Sequence, residues 1–309
     1  ERYGNRLSDI RRITVNGTDT VWLELYQANG ALLDLLDIPI VKSGTEEDTV
    51  PVGTGPYLYI TDDNGAYLSA NGDWWRGTEQ PISQIALVDA KDTETEQYLF
   101  NSYEIHVYTA DLTSGTAALT GSLSWVDAPT TVMQFVGINV SRPLLSDAAV
   151  RRALSVGIDR ATVVTGYLSG HAEAASFPVS PRSTLYPEEL EESYSATAYS
   201  TALEQAGLRV GEQQTLRLLV NADSEEKVSI ANYMAQTWSR YDLQVIVEAL
   251  PWEEYLAALA AGNFDLYYGE VKLRSDWDVS ELIGTNGALN YGGYSAEETD
   301  TLLAAFRAS

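Results

Sequence analysis

The chain has 309 residues, 45% of them hydrophobic, and a formal net charge of −25 from 19 Lys and Arg against 44 Asp and Glu. That length suggests two domains and buries roughly three quarters of the unfolded surface, while that charge repels phosphate backbones and anionic headgroups and argues against nucleic acid as a partner. The absence of cysteine removes disulfides, thiol nucleophiles and cysteine metal sites without choosing a compartment.

No apolar run approaches the ~18 residues of a membrane span; the stretch from Ala31 to Leu36 is interrupted by Asp34. Neither a signal peptide nor a lipoprotein cysteine is visible. Residues 10–25 alternate apolar and polar around Asn16-Gly17, a hairpin turn pair, with Val21 to Leu25 as the returning strand. Leu32, Leu33, Leu35 and Leu36 read as a short buried helix. In Val52-Gly53-Thr54-Gly55-Pro56-Tyr57 the glycines predict a tight turn with positive φ, and Pro56 fixes entry into the next strand. The phosphate-loop spacing is absent. Asn71 to Gly77 carries Trp74 and Trp75, and Ile82 to Val88 reads as a strand.

The most informative stretch is Phe135 to Arg160, FVGINVSRPLLSDAAVRRALSVGIDR. Residues 135–140 are β-rich and apolar, a buried strand, which Arg142-Pro143 ends. Ser146 or Asp147 then caps a helix. Val150, Ala153, Leu154, Gly157 and Ile158 make its buried stripe, with Arg151 and Arg152 on the wet face. Asp159 reads as a second cap rather than a ligand, opening a helix from Arg160 to Leu168. Further on, Thr215 to Val220 is a strand, and Asp223 or Ser224 starts a helix through Trp238. Leu243 to Val247 is a strand, Trp252 to Ala261 a helix, and Phe264 to Tyr268 a strand. That alternation predicts parallel pairing.

The Phe135–Arg160 string resembles one in the bacterial extracellular solute-binding proteins of family 5, the oligopeptide, dipeptide and nickel receptors of ABC importers. The matches are Phe135, Gly137, Asn139, Pro143, Asp147, Val150, Arg151, Ala153, Leu154, Ile158, Asp159 and Arg160, with Gly157 in place of the usual alanine. Gly53-Thr54-Gly55-Pro56-Tyr57, the Trp74-Trp75 segment and Ala198 to Gly207 fit the same family. The resemblance implies an α/β, periplasmic-binding-protein-like fold of class II, two lobes with a ligand cleft. Residues 1–134 are then part of a β-rich first lobe and 135–309 an α/β second lobe. Family members are usually longer, so the chain reads as an incomplete fragment of the fold.

The resemblance also implies a non-catalytic receptor that captures a small solute, peptide or peptide-like, and hands it to ABC permease subunits. Such a receptor is a monomer, needs no cofactor, and is an extracellular lipoprotein anchored to the membrane. In the family, much ligand recognition comes from the loop after the Phe264–Tyr268 strand, here Gly269 to Asp278. Peptide-binding members carry there a tryptophan and an aspartate that pairs with the peptide amine. This chain departs from them: Glu270 or Val271 holds the tryptophan place, Leu273 or Arg274 the aspartate place, and Trp277 the proline place. What remains is an aromatic with two carboxylates and two cations, a set suited to a zwitterion or a hydroxyl-rich ligand. The expected ligand-binding residues are Trp252, Tyr268, Lys272, Arg274, Asp276, Trp277 and Asn139, the last close to the cleft. Trp252 matches a tryptophan some relatives place against ligand, although core packing explains it equally well.

Two other functional classes touch the same residues. Glu270 and Asp276 form a carboxylate pair of the kind a glycosidase uses, yet no nucleophile elbow or nucleophile–histidine pairing accompanies it. The two histidines, His106 and His171, have no zinc spacing. A non-transport carbohydrate-binding or sensing module is the alternative to an import receptor.

Overall fold

A computed structural model describes residues 4–63, 65–110, 123–191, 194–208 and 211–309. Among these the chain divides into two compact units, residues 4–6, 36–110 and 123 in the first and 7–35 with 124–309 in the second. The lobe boundary read from the sequence, 134/135, differs from this division over residues 7–35 and 124–134. The reason for the first difference is local to the second unit, where the Gly30–Leu35 turn lies against the last helix of the chain.

The hairpin β1 (Ile10–Asn16) and β2 (Thr20–Leu25) forms as predicted, with Gly17 at φ +76 opening the turn. Ile13, Val15, Val21 and Trp22 stay exposed, Trp22 at 61%, while Ile10, Leu23 and Leu25 are partly covered. In the 3₁₀ segment that follows, Leu32 and Leu35 are buried but Leu33 is exposed, because three residues per turn stack Leu32 and Leu35 on one face and send Leu33 to another.

The first unit holds a three-stranded antiparallel sheet, β3 (Tyr57–Asp62), β4 (Gly65–Ala70) and β5 (Gln84–Leu87), then helix α1 (Thr93–Asn101). Asp92 caps α1 by accepting a bond from the Thr95 N–H. The Gly53-Thr54-Gly55 motif corrects its sequence reading, since neither glycine has a positive φ. Gly53 bridges Val41 in extended form, and the Thr54 and Gly55 carbonyls accept bonds from Trp74 Nε1 and Asn71 Nδ2. The motif and the Asn71–Trp75 segment therefore hold each other in place.

The second unit is built on a mixed sheet in the order β6-β9-β7-β8, with β6 at Val132–Ile138, β7 at Gln214–Asn221, β8 at Leu243–Leu250 and β9 at Leu266–Lys272. β7 pairs parallel with β8 and β9, as the alternating strand and helix pattern requires, whereas β6 runs antiparallel to β9. The period-2 pleat sends Leu216, Leu218 and Val220 to one face and Leu219 to the other. On the first face lie α2 (Ala148–Val156), α4 (Ala196–Gln205) and α5 (Glu225–Trp238); on the second lies α6 (Trp252–Ala260). Between α2 and α4 the chain makes one short turn, α3 (Arg160–Thr162), continued by a π turn over Val163–Tyr167 rather than a regular helix to Leu168. After β9 come α7 (Ser280–Ile283) and α8 (Glu297–Ala308).

Caps read from the sequence are in place. Asp147 accepts from Ala149 N, Asp159 from Thr162 N, and Ser224 from Lys227 N, each meeting one free first-turn donor. The expected stripe of α2 is buried at Val150, Ala153 and Leu154. It packs on Trp238, whose ring has no exposure and whose Nε1 donates to Leu154 O at 2.9 Å. Gly157 is part of that fit: a Cβ there would stand 2.7 Å from both Trp238 Cδ1 and Tyr199 Cε2. The family's alanine is thus exchanged for glycine where a large indole takes its space.

Candidate functional site

In open α/β sheets, ligands gather outside the carboxyl ends of strands, where successive helices depart to opposite faces. Here β7 is followed by α5 on one face and β8 by α6 on the other. The carboxyl edge of the sheet is therefore formed by Asn221–Ser224, Leu250–Trp252 and the chain leaving β9. The start of antiparallel β6 joins them, because Val132 pairs with Lys272 and Thr131 exchanges bonds with Leu273.

β9 is longer than the sequence reading, running to Lys272 because its pairing with β6 persists to that rung. The residues Gly269 to Lys272 are strand, and the loop proper starts at Leu273. Glu270 points to the α5 side, where its Oε2 lies 3.2 Å from Lys227 Nζ and accepts from Gln134 Nε2 at 3.2 Å. Lys272, two residues on, is exposed on the same side.

Beyond the strand, Arg274 donates to Asp276 Oδ2 at 2.8 Å, and Asp278 N donates to Asp276 Oδ1 at 3.2 Å. Asp276 is only 4% exposed. This carboxylate is a fixed internal partner of the loop. Arg274 is bonded to no second acceptor among the described residues, and its Nε is buried without one. Trp277 follows at φ +58, in the left-handed region. Trp252 opens α6 behind Pro251, half exposed and stacked on Tyr255 with ring centroids 5.9 Å apart.

Two of the expected residues lie elsewhere. Tyr268 is buried within β9, its hydroxyl donating to Gln134 Oε1 and its carbonyl accepting from Tyr255 Oη at 3.0 Å. Burial pushes the Tyr268 phenol upward, and nearby Glu270 adds to the rise. Asn139 sits past the other end of the β6–β9 pair, seven residue steps or about 23 Å from the Lys272 rung. Its Nδ2 donates to Gly262 O and Phe264 O, and its Oδ1 accepts from Ser141 N and Oγ. All four bonding positions of that amide are filled.

Thus the structure brings Lys272, Arg274, Asp276 and Trp277 into one segment, with Trp252 on the same edge, and does not bring Asn139 to them. The sequence reading missed Lys227 as the partner of Glu270. Its only signal was its place in the first turn of a helix that follows a strand. Among the described residues, no group of three or more His, Asp or Glu side chains is arranged to hold a metal ion.

The model of the Bacterial extracellular solute-binding proteins, family 5 Middle, matches residues 2–287. The chain belongs to this family. Oligopeptide-binding protein AppA of Bacillus subtilis (strain 168) is 22% identical over 274 residues, 82% of this chain and 50% of AppA. Glutathione-binding protein GsiB of Salmonella choleraesuis (strain SC-B67) is 23% identical over 337 aligned positions, covering 99% of this chain and 64% of GsiB. The chain thus spans about half to two thirds of these family 5 relatives. Among solved structures, the nickel ABC transporter protein from Bacillus halodurans superposes with a TM-score of 0.82 at 20% identity, over 100% of this chain and 68% of that one. The fold is therefore the α/β fold of family 5 binding proteins.

Proposed function

We propose that this chain is part of a solute receptor for an ABC importer and that its carboxyl sheet edge recognises a solute bearing a carboxylate. Family membership supports the receptor role, and relatives named as binding oligopeptides, glutathione and nickel mark the range of solutes to consider. In this reading the protein is a non-catalytic, monomeric, extracellular lipoprotein that delivers its solute to ABC permease subunits.

The observation that carries the ligand class is Arg274. The place where peptide-binding members have an amine-pairing aspartate falls to Leu273 or Arg274; Leu273 is buried, and the one bonded partner of Arg274 is the carboxylate of Asp276. A guanidinium with donors to spare welcomes a carboxylate and repels an ammonium. Exposed Lys272 adds a second cation, while the half-exposed Trp252 and the neighbouring Trp277 offer aromatic area. Asn139 and Tyr268, whose polar atoms are bonded within the protein, are assigned to the frame.

Glutathione, with two carboxylates to one ammonium, fits this edge better than a free neutral tripeptide. A thermal-shift panel of glutathione, trialanine, a nickel–histidine complex and a disaccharide tests the proposal. Stabilisation by glutathione above all others is expected. Stabilisation by the disaccharide alone would instead favour the carbohydrate-binding module.

A further inference from the structure

Trp277 is one of four non-glycine residues with positive φ among the described residues, and the only one in the loop that leaves β9. A bulky side chain is rare in that region, and such a conformation persists only where its surroundings fix it. The surroundings here are two carboxylates placed one on each side of it. Asp276 is held by Arg274 at 2.8 Å and by the Asp278 N–H. Asp278, whose side chain is 8% exposed, accepts from Ser280 N at 2.9 Å and faces Arg307 Nε at 4.0 Å. Trp277 N closes the turn by donating to Arg274 O at 3.1 Å.

Arg307 comes from α8, the helix that also meets the Gly30–Leu35 turn. At 4.0 Å its contact with Asp278 is one of charge rather than a hydrogen bond, and its Nε has no acceptor. The little-exposed Asp278 carboxylate nonetheless depends on it, because its other oxygen is already bonded to Ser280.

We propose that Trp277 is held in a strained backbone conformation by the flanking pairs Arg274–Asp276 and Arg307–Asp278, and that Arg307 is thereby a positioning residue for the solute-recognising loop. The second half of this proposal rests on the carboxylate-receptor reading; the first does not. The flanking pairs, working against that strain, keep the indole at a fixed place on the sheet edge, and Arg307 sets that place from outside it.

The test separates backbone strain from lost packing. Trp277→Gly and Trp277→Ala both remove the indole, but only alanine keeps a Cβ that opposes positive φ. The glycine variant should melt about 2–4 °C above the alanine variant. In an Arg307→Gln background that gap should shrink to less than half, because the loop relaxes. Arg307→Lys, which keeps the charge, should retain the gap and shows that the helix still folds. With glutathione as the probe, Arg307→Gln should weaken binding at least about tenfold and Arg307→Lys by much less. An alanine variant as stable as the glycine variant, or a gap unchanged by Arg307→Gln, overturns the strain. Unchanged glutathione binding in Arg307→Gln overturns the positioning role. If the wild-type chain binds no glutathione, the ligand class and the positioning role fall together, and the melting gap still decides the strain.

Discussion

At the end of the four-stranded sheet where β6 stops and β9 begins, Asn139, Arg142, Arg217 and Asp265 all have partners inside the protein. Asn139 and Arg142 both donate to Phe264 O, Arg142 pairs with Asp265 at 3.0 Å, and Arg217 bonds Asp265 through its N–H and Asn263 through its guanidinium. At the opposite end, Lys272 is exposed, Arg274 has a single bonded partner and Trp277 is strained. The same strands connect the two. The contrast separates a frame, which fixes strand order and register, from an edge with fewer internal bonds, which the proposed function assigns to the solute. Both ends carry charge, and only saturation tells them apart.

The comparison breaks most severely at the frame. Gly137 faces Tyr267, and a Cβ there would come within 2.0 Å of its ring. Gly137→Ala should cost about 3 kcal/mol or more by overpacking, read as a drop in the denaturant midpoint. Asn139→Leu leaves the Ser141 N–H without its acceptor and reduces Gly262 O and Phe264 O to their Arg142 bonds, and should cost about 1–3 kcal/mol. Neither should alter glutathione affinity under conditions where the variant stays folded. Gly157→Ala should cost about 1–3 kcal/mol by the same overpacking against Trp238 and Tyr199.

A pH titration sharpens the contrast through the buried tyrosines. Burial raises the phenols of Tyr199, Tyr255, Tyr267 and Tyr268 above their ordinary value of 10.0. In the unfolded chain these groups ionise near 10, so there it binds fewer protons than the folded state above that pH. Their contribution is complete below pH 10 and is lost as pH rises further, which predicts alkaline unfolding. Phenolate absorbance should develop in two phases, the later one coincident with loss of helical circular dichroism. Smallest is Trp252→Ala: the residue is 47% exposed, so stability should change by less than about 1 kcal/mol, while solute affinity falls.

What was legible in the sequence was local. Asp147, Asp159 and Ser224 announce their helices because a cap needs only the next three residues. The alternation of strands and helices from Thr215 to Tyr268 gives parallel pairing because chain direction is enforced by the crossovers. Strand order is not local, so nothing in the sequence placed Asn139 at the far end from Lys272. Trp277 gives no signal of positive φ, since tryptophan is not a residue that favours it; the conformation is imposed by Asp276 and Asp278 through their partners. Arg307 and Lys227 were invisible as neighbours of the loop for the same reason, being respectively 29 residues after Asp278 and 43 before Glu270 in the sequence.

The central claim is that Arg274 at the sheet edge selects a carboxylate over an ammonium. Calorimetric titration of the wild-type chain and of Arg274→Asp with glutathione and with trialanine tests it most directly. The wild type should bind glutathione at least about tenfold more tightly than trialanine, the loss of one charge-assisted bond being worth about 1.5–3 kcal/mol. Arg274→Asp should reverse that order. Tight binding of trialanine by the wild type, abolished in Asp276→Ala and untouched in Arg274→Ala, would contradict the account.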